Sequence, residues 1–122
     1  MTSIVVDFFH LGKFLEIDAK TLTVRVQPGI CWQKLDLELA KKDLRLRLYP
    51  SSYPASTVGG WLAQGGAGFG SYESGWFREN VVSARGILAD GTVREFSGVD
   101  LDLVSEAEGT TGFITEVTVK VC

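Results

Sequence analysis

The chain has 122 residues, the length of a single domain, and its composition of 45% apolar and 22% charged residues is globular. The net charge is −3 with the two signs interspersed, and no basic run or stripe is present, which argues against a nucleic-acid partner. No apolar run is long enough to span a membrane, no signal-peptide pattern opens the chain, and a single histidine, His10, leaves no room for a catalytic triad or a histidine-rich metal site. In chain order, Ile4 to Phe9 is a short apolar run that predicts a strand, with His10 at its end, and Gly12 breaks it. Phe14 to Ile17 predicts a second strand, Asp18-Ala19-Lys20 a turn, and the alternation of Leu22, Val24 and Val26 with Thr23, Arg25 and Gln27 a half-buried third strand that stops at Pro28-Gly29.

Trp32 to Asp43 predicts a helix, because Trp32, Leu35 and Leu39 share one face while Lys34, Lys41 and Lys42 fall mostly elsewhere. Trp32 reads as core rather than cofactor contact. Leu44, Leu46 and Leu48 alternate with Arg45 and Arg47 in an extended segment running into Pro50; the arginines form a solvated face or meet an anion. Ser56 or Thr57 can cap a short helix from Val58 to Gln64, with Gly65 as its stop. Its first turn would offer unpaired N–H groups to an anion. Gly66 to Gly75 reads as loop. Val81 to Ala89 and Thr92 to Phe96 form a hairpin about Asp90-Gly91, Asp100 caps a short helix through Leu101, Leu103 and Val104, and Phe113 to Val121 is the last strand after the tight Gly109–Gly112 loop. The order predicts an α+β domain, a mostly antiparallel sheet with flanking helices in a two-layer sandwich.

Pro50 to Gly75 is the chemically distinctive stretch. It holds Gly59, Gly60, Gly65, Gly66, Gly68, Gly70 and Gly75 among serines, a threonine and the aromatics Tyr53, Trp61, Phe69 and Tyr72. Backbone N–H groups, hydroxyls and apolar surface together suit a ligand with a charged part and a flat part. A mobile glycine-rich loop is the alternative, but the close spacing of Val58, Trp61, Leu62 and Ala63 is unlike a solvated linker. No lysine lies between Lys42 and Lys120, so there is no P-loop here, and the G-x-G-x-x-G dinucleotide fingerprint after a first strand is also absent. Cys31 and Cys122 have no metal-ligand spacing; they are two thiols of a reduced, cytoplasmic compartment or else a disulfide.

Five segments, in order, carry a family resemblance: VQPG (Val26 to Gly29), PASTVGG (Pro54 to Gly60), AQGGAG (Ala63 to Gly68), LADGTV (Leu88 to Val93) and EGTTGFIT (Glu108 to Thr115). Together they resemble the FAD-linked oxidases, the family of vanillyl-alcohol oxidase and p-cresol methylhydroxylase, which includes the glycolate oxidase D subunit and D-lactate dehydrogenases. The resemblance implies FAD as cofactor. It implies that Pro50, Ser51, Ser56, Thr57, Val58, Gly59 and Gly60 run against the pyrophosphate and isoalloxazine. It places Gln64, Gly65, Gly66, Tyr72 and Gly75 along the flavin ring, and Glu108, Gly109, Thr110, Gly112, Phe113 and Ile114 by the adenine and ribose. Glycines at such places let backbone N–H groups reach phosphate and ring oxygens.

The Gly66–Gly75 loop is a little longer than the glycolate oxidase pattern. The family's R-G-G-G-T-like pyrophosphate loop, which precedes this region, and its large substrate domain, which follows, are not in the chain. The expectation is a single domain, residues 1–122, that is the second half of an FAD-binding domain: a fragment, a truncated gene product or one piece of a split enzyme. It would form part of an FAD-dependent oxidoreductase acting on a 2-hydroxy acid or similar alcohol, with a small-molecule substrate held by other domains and a second polypeptide or subdomain as partner. The alternatives are a non-catalytic subunit that docks another chain and a remnant without ligand. No catalytic base stands out. His10 reads as structural rather than as a proton acceptor or covalent flavin anchor, and Glu73 and Glu79 as solvated loop charges.

Overall fold

The computed structural model describes residues 3–53, 55–109 and 111–122. Among the described residues, five strands form one antiparallel sheet: β1 (Phe14–Asp18), β2 (Thr23–Val26), β3 (Val81–Leu88), β4 (Val93–Ser97) and β5 (Gly112–Lys120), in the spatial order β1-β2-β5-β3-β4. Helices α1 (Trp32–Ala40) and α2 (Val58–Gln64) contribute to the same buried cluster, and a four-residue α3 (Ser71–Ser74) interrupts the glycine-rich loop. The expected α+β class and antiparallel sheet are what the chain adopts.

Strand periodicity explains the layering. Val24 lies opposite Val119 and Val26 opposite Val117, so one face of β2 and β5 is a continuous valine surface. Trp32, Leu35 and Leu39 of α1 and Val58, Trp61 and Leu62 of α2 are buried in one cluster with those valines. The other face is polar, with Arg25 paired to Glu16 at 3.0 Å and Arg85 to Glu116 at 3.5 Å. A register shift between Val81 and Ser83 resets the alternation of β3, so that Val81 and Ala84 are both buried. The alternating Leu44–Leu48 segment is no strand; it meets the sheet at an isolated bridge between Leu46 and Val121 and bends at Arg47. Arg45 and Cys122 exchange two backbone hydrogen bonds, and Leu46 and Leu48 are buried.

Four expectations are corrected. Residues 4–8 have no regular secondary structure and pair with no strand among the described residues, and Ile4 and Val5 are about nine-tenths exposed at 92% and 89%. An apolar run supplies strand propensity, but a strand also needs an adjacent free edge. His10 accordingly sits exposed in a turn rather than on a strand. The first helix ends at Ala40, not Asp43. Asp43 turns left-handed at φ 58, and the Asp43 and Leu44 N–H groups return to the Ala40 and Leu39 carbonyls, a Schellman closure. The turn after β1 extends through Leu22, at φ 54, so β2 starts one residue later than the alternation suggested. Asp100 is not a cap. It lies inside a 3₁₀ segment, Gly98–Leu103, and pairs with Arg94 at 3.3 Å. Cys31 and Cys122 are free thiols, and no helix among the described residues is long and apolar enough to cross a membrane.

Candidate functional site

The site is built around the start of α2. Thr57 is extended, at φ −110 and ψ 157, and its Oγ1 accepts from the Gly60 N–H at 3.2 Å, which makes it the cap. Ser56 does a different job: its carbonyl accepts from the Trp32 N–H at 3.1 Å and its Oγ accepts from Ser52 at 2.8 Å. Gly65 ends the helix at φ 82.

The adjacent glycines of α2 are small for different reasons. Gly59 is buried and donates to the Pro28 carbonyl at 2.9 Å; a side chain there would collide with the Pro28 ring. Gly60 is exposed, and a Cβ there would meet only Thr57 Oγ1, at 2.9 Å. Gly60 therefore leaves bare backbone facing outward.

That backbone lines a groove of about 400 Å³. One wall is Pro28, Thr57, Gly59, Gly60 and Ala63; the other is Glu108, Gly109, Gly112, Phe113 and Ile114; Ile4, Val6 and Phe8 also line it. The second wall is moored to the first by the backbone. Glu106 and Glu108, both left-handed at φ 61 and φ 52, donate their N–H groups to the Leu62 and Ala63 carbonyls at 3.2 and 2.8 Å. These are end-of-helix carbonyls that α2 cannot satisfy itself. Phe8 and Phe113 meet edge to face at 6.0 Å, and Phe113 remains about half exposed at 48%.

The groove gathers Thr57, Gly59, Gly60, Glu108, Gly109, Gly112, Phe113 and Ile114 from the residues singled out by sequence. Thr110 lies outside the described residues. Val58 points into the core instead. Pro50, Ser51, Ser56, Gln64, Gly65, Gly66, Tyr72 and Gly75 do not line the groove. Pro50 is buried, Ser51 and Gln64 are exposed, and Tyr72 is wholly exposed on α3. Gly65 and Gly75 are filled from within the chain: the Glu106 side chain packs where a Gly65 Cβ would stand, and Glu79 does the same at Gly75. Glu79 is thus more than a solvated charge, since it also accepts from the Trp76 N–H at 2.7 Å. Sequence reasoning missed Ile4, Val6, Phe8, Pro28 and Ala63 as lining. Pro28 was signalled only by its place in VQPG, before the glycine pair that needs it.

A second groove, of about 760 Å³, adjoins the first across Val6, Phe8 and Thr57 and carries His10, Lys13 and Lys34 beside Asp7. Trp61 stacks on Phe77 with centroids 4.6 Å apart, and Trp32 meets both edge-on at 5.4 Å, so the tryptophans of α1 and α2 are core. Tyr49 and Tyr53 are held above the ordinary tyrosine range, first by burial and then by the charge and hydrogen bonds of Asp36.

The FAD binding domain family matches residues 1–97. This chain belongs to the FAD binding domain family. Among its relatives are an alkyldihydroxyacetonephosphate synthase of Dictyostelium discoideum, 32% identical over 98% of this chain and 21% of the relative, and the glycolate oxidase subunit GlcD of Bacillus subtilis, 32% identical over 96% of this chain and 27% of the relative. A mitochondrial D-lactate dehydrogenase [cytochrome] of Kluyveromyces lactis is 31% identical over 91% of this chain and 20% of its own length. A solved alkyldihydroxyacetonephosphate synthase superposes with a TM-score of 0.84 at 34% identity, covering 91% of this chain and 21% of that one. The chain thus spans between a fifth and about a quarter of the length of these curated relatives.

The cofactor of this FAD binding domain is FAD, and the groove fits part of it. Its walls are apolar or bare glycine backbone, and the described lining residues include a carboxylate, Glu108, but no cation. That chemistry suits the uncharged, flat adenosine end. A diphosphate needs positive partners; the adjoining groove carries the cations Lys13 and Lys34, with Asp7 also in its lining.

Proposed function

We propose that this chain forms one wall of the FAD site of an FAD-dependent oxidoreductase that oxidises a 2-hydroxy acid or a similar alcohol. The observation that carries the reading is the groove between Gly60 and the Glu108–Ile114 segment, open at its backbone and lined mostly by apolar side chains and glycines, a lining that supports an adenosine as occupant. FAD supplies the hydride-accepting chemistry. The chain's own residues bind and orient: Thr57 fixes the start of α2, Gly60 and Gly109 admit the cofactor, and Phe113 offers a flat contact. Glycolate oxidase and D-lactate dehydrogenase among the relatives support the substrate class; the synthase among them carries a different chemistry and is the competitor.

In this reading the rest of the flavin enclosure and the substrate pocket come from further polypeptide, and the chain alone is not a competent enzyme. The relatives' greater length and the bare apolar side chains of Ile4, Val5 and Phe9 support that. A cytoplasmic setting, with both thiols reduced, belongs to the same proposal. The second reading, a non-catalytic subunit that docks a partner, draws on the same exposed side chains together with Phe69, Tyr72 and Trp76, which are 71%, 104% and 54% exposed.

The test is titration of the chain with FAD and FMN, and dye reduction by 2-hydroxy acids for the chain alone and mixed with the upstream polypeptide. The proposal expects FAD to bind more tightly than FMN, weakly to the chain alone and tightly in the mixture, with turnover only in the mixture. Equal affinity for the two flavins removes the adenosine assignment. Turnover by the isolated chain at ordinary enzyme rates overturns the shared-site idea. Tight FAD binding by the mixture with no turnover of any 2-hydroxy acid favours the non-catalytic reading or the synthase chemistry.

A further inference from the structure

We propose that Asp36 is a positioning residue for the cofactor, clamping Tyr49 and Tyr53 so that the loop delivering Thr57 to the FAD site is ordered before FAD arrives. This rests on the reading of that loop as part of the FAD wall. Each carboxylate oxygen takes one phenol: Tyr49 donates to Oδ1 at 3.2 Å and Tyr53 to Oδ2 at 3.3 Å. The two rings meet edge to face, with centroids 5.2 Å apart. The clamp therefore grips both ends of the Tyr49–Tyr53 turn from a single side chain on α1.

Among the described residues of the loop, Ser51, Ser52, Tyr53 and Ala55 are exposed, and the bonds within it are Tyr53 N–H to the Pro50 carbonyl at 3.1 Å, Ser56 N–H to the Ser52 carbonyl at 3.4 Å and Ser52 Oγ to Ser56 Oγ at 2.8 Å. Its far end returns to the same helix, where Trp32 N–H donates to the Ser56 carbonyl. Helix α1 thus holds the loop at both its entry, through the Asp36 side chain, and its exit to Thr57, through the Trp32 backbone N–H. The near end reaches further, since Tyr49 and Phe69 exchange two backbone hydrogen bonds at 2.7 Å and join the clamp to the Gly66–Gly75 segment.

The Tyr53 bond is exposed and the Tyr49 bond only part-buried, so both add little to folding stability, because water can replace them when they break. What they remove is freedom of the loop. A loop ordered in advance spares the ligand the entropy of ordering it, so the effect falls on binding.

The test compares the full chain with Asp36→Ala, Asp36→Asn, Tyr53→Phe and the Asp36→Ala/Tyr53→Phe double variant, by titration with FAD, thermal melting and phenolate absorbance against pH. The proposal expects Asp36→Ala and Tyr53→Phe each to weaken FAD binding about threefold to tenfold. The double variant should be no worse than Asp36→Ala, Asp36→Asn should fall between wild type and Asp36→Ala, and melting should stay within a few degrees. Phenolate formation in Asp36→Ala should move to lower pH. Wild-type FAD affinity in Asp36→Ala, additive losses in the double variant, or a loss matched by collapse of the fold each overturn the clamp while leaving the FAD reading standing. A wild-type chain that binds no FAD, alone or with the upstream polypeptide, overturns the FAD reading and this proposal with it.

Discussion

The two halves of the glycine-rich stretch are alike in composition and unlike in what their glycines do. At the start of α2, Gly60 faces outward and leaves room for a ligand, while its neighbour Gly59 is small because Pro28 occupies the space. Beyond the helix, Gly68 and Gly70 lie against the backbone of Tyr49 and Arg47, and Gly65 and Gly75 make room for Glu106 and Glu79. That second half is largely a device for laying one loop flat on another. Glycine content alone therefore locates close approach, but not whether the approaching body is a cofactor or the chain itself. Only the open positions, Gly60 in the first half and Gly66 in the second, remain as places where bound FAD can meet bare backbone.

The contrast can be broken most sharply at Gly59. Gly59→Val forces a branched side chain into the Pro28 turn and should destabilise the fold by about 3 kcal/mol or more, read as a fall in melting temperature of roughly 10 °C or more. A melting temperature near wild type would mean that the turn yields and that Gly59 is not a packing glycine. Gly60→Val should do the converse, leaving far-UV circular dichroism near native and weakening FAD by about a hundredfold or more, some 2.7 kcal/mol. Unchanged FAD affinity in Gly60→Val would erase the difference between the two glycines.

Thr57→Ala sharpens the comparison on a smaller scale. It removes the acceptor for the Gly60 N–H and should reduce stability by about 1 kcal/mol, with Thr57→Ser restoring most of it. Equal melting temperatures for Thr57→Ala and wild type would show that the cap does not set the start of α2.

The smallest effect concerns Tyr49, which stitches the two halves together through Phe69. Burial, and then Asp36, raise Tyr49 and Tyr53 in the folded chain above the ordinary value of 10.0. A raised folded value means that their contribution to stability is complete below pH 10 and is lost as pH climbs through the folded values. Denaturant unfolding measured across that alkaline range should show declining stability, with a smaller decline that levels off at lower pH in Asp36→Asn. A flat profile in both proteins would remove the linkage.

What the sequence by itself determined is local and periodic. The alternation of Val24 with Val26 and of Val117 with Val119 dictates strands buried on one face, because successive side chains point to opposite sides. The spacing of Trp32, Leu35 and Leu39 dictates which face of α1 meets them. Thr57 before Val58 and Gly65 after Gln64 mark both ends of α2, because caps act through neighbours in the chain. The family was legible in five short segments, and with it FAD. What only the tertiary structure decided depends on groups far apart in sequence. Ile4 to Phe8 has strand composition but no strand alongside it. Asp43 stops a helix that its periodicity would have continued. Pro28 explains Gly59 from thirty-one residues away, and Glu106 explains Gly65. The groove between α2 and the Glu108–Ile114 segment exists because the Glu106 and Glu108 N–H groups find the Leu62 and Ala63 carbonyls near the end of α2. A hydrogen bond between distant segments is set by where the whole sheet places them, and no local pattern encodes that.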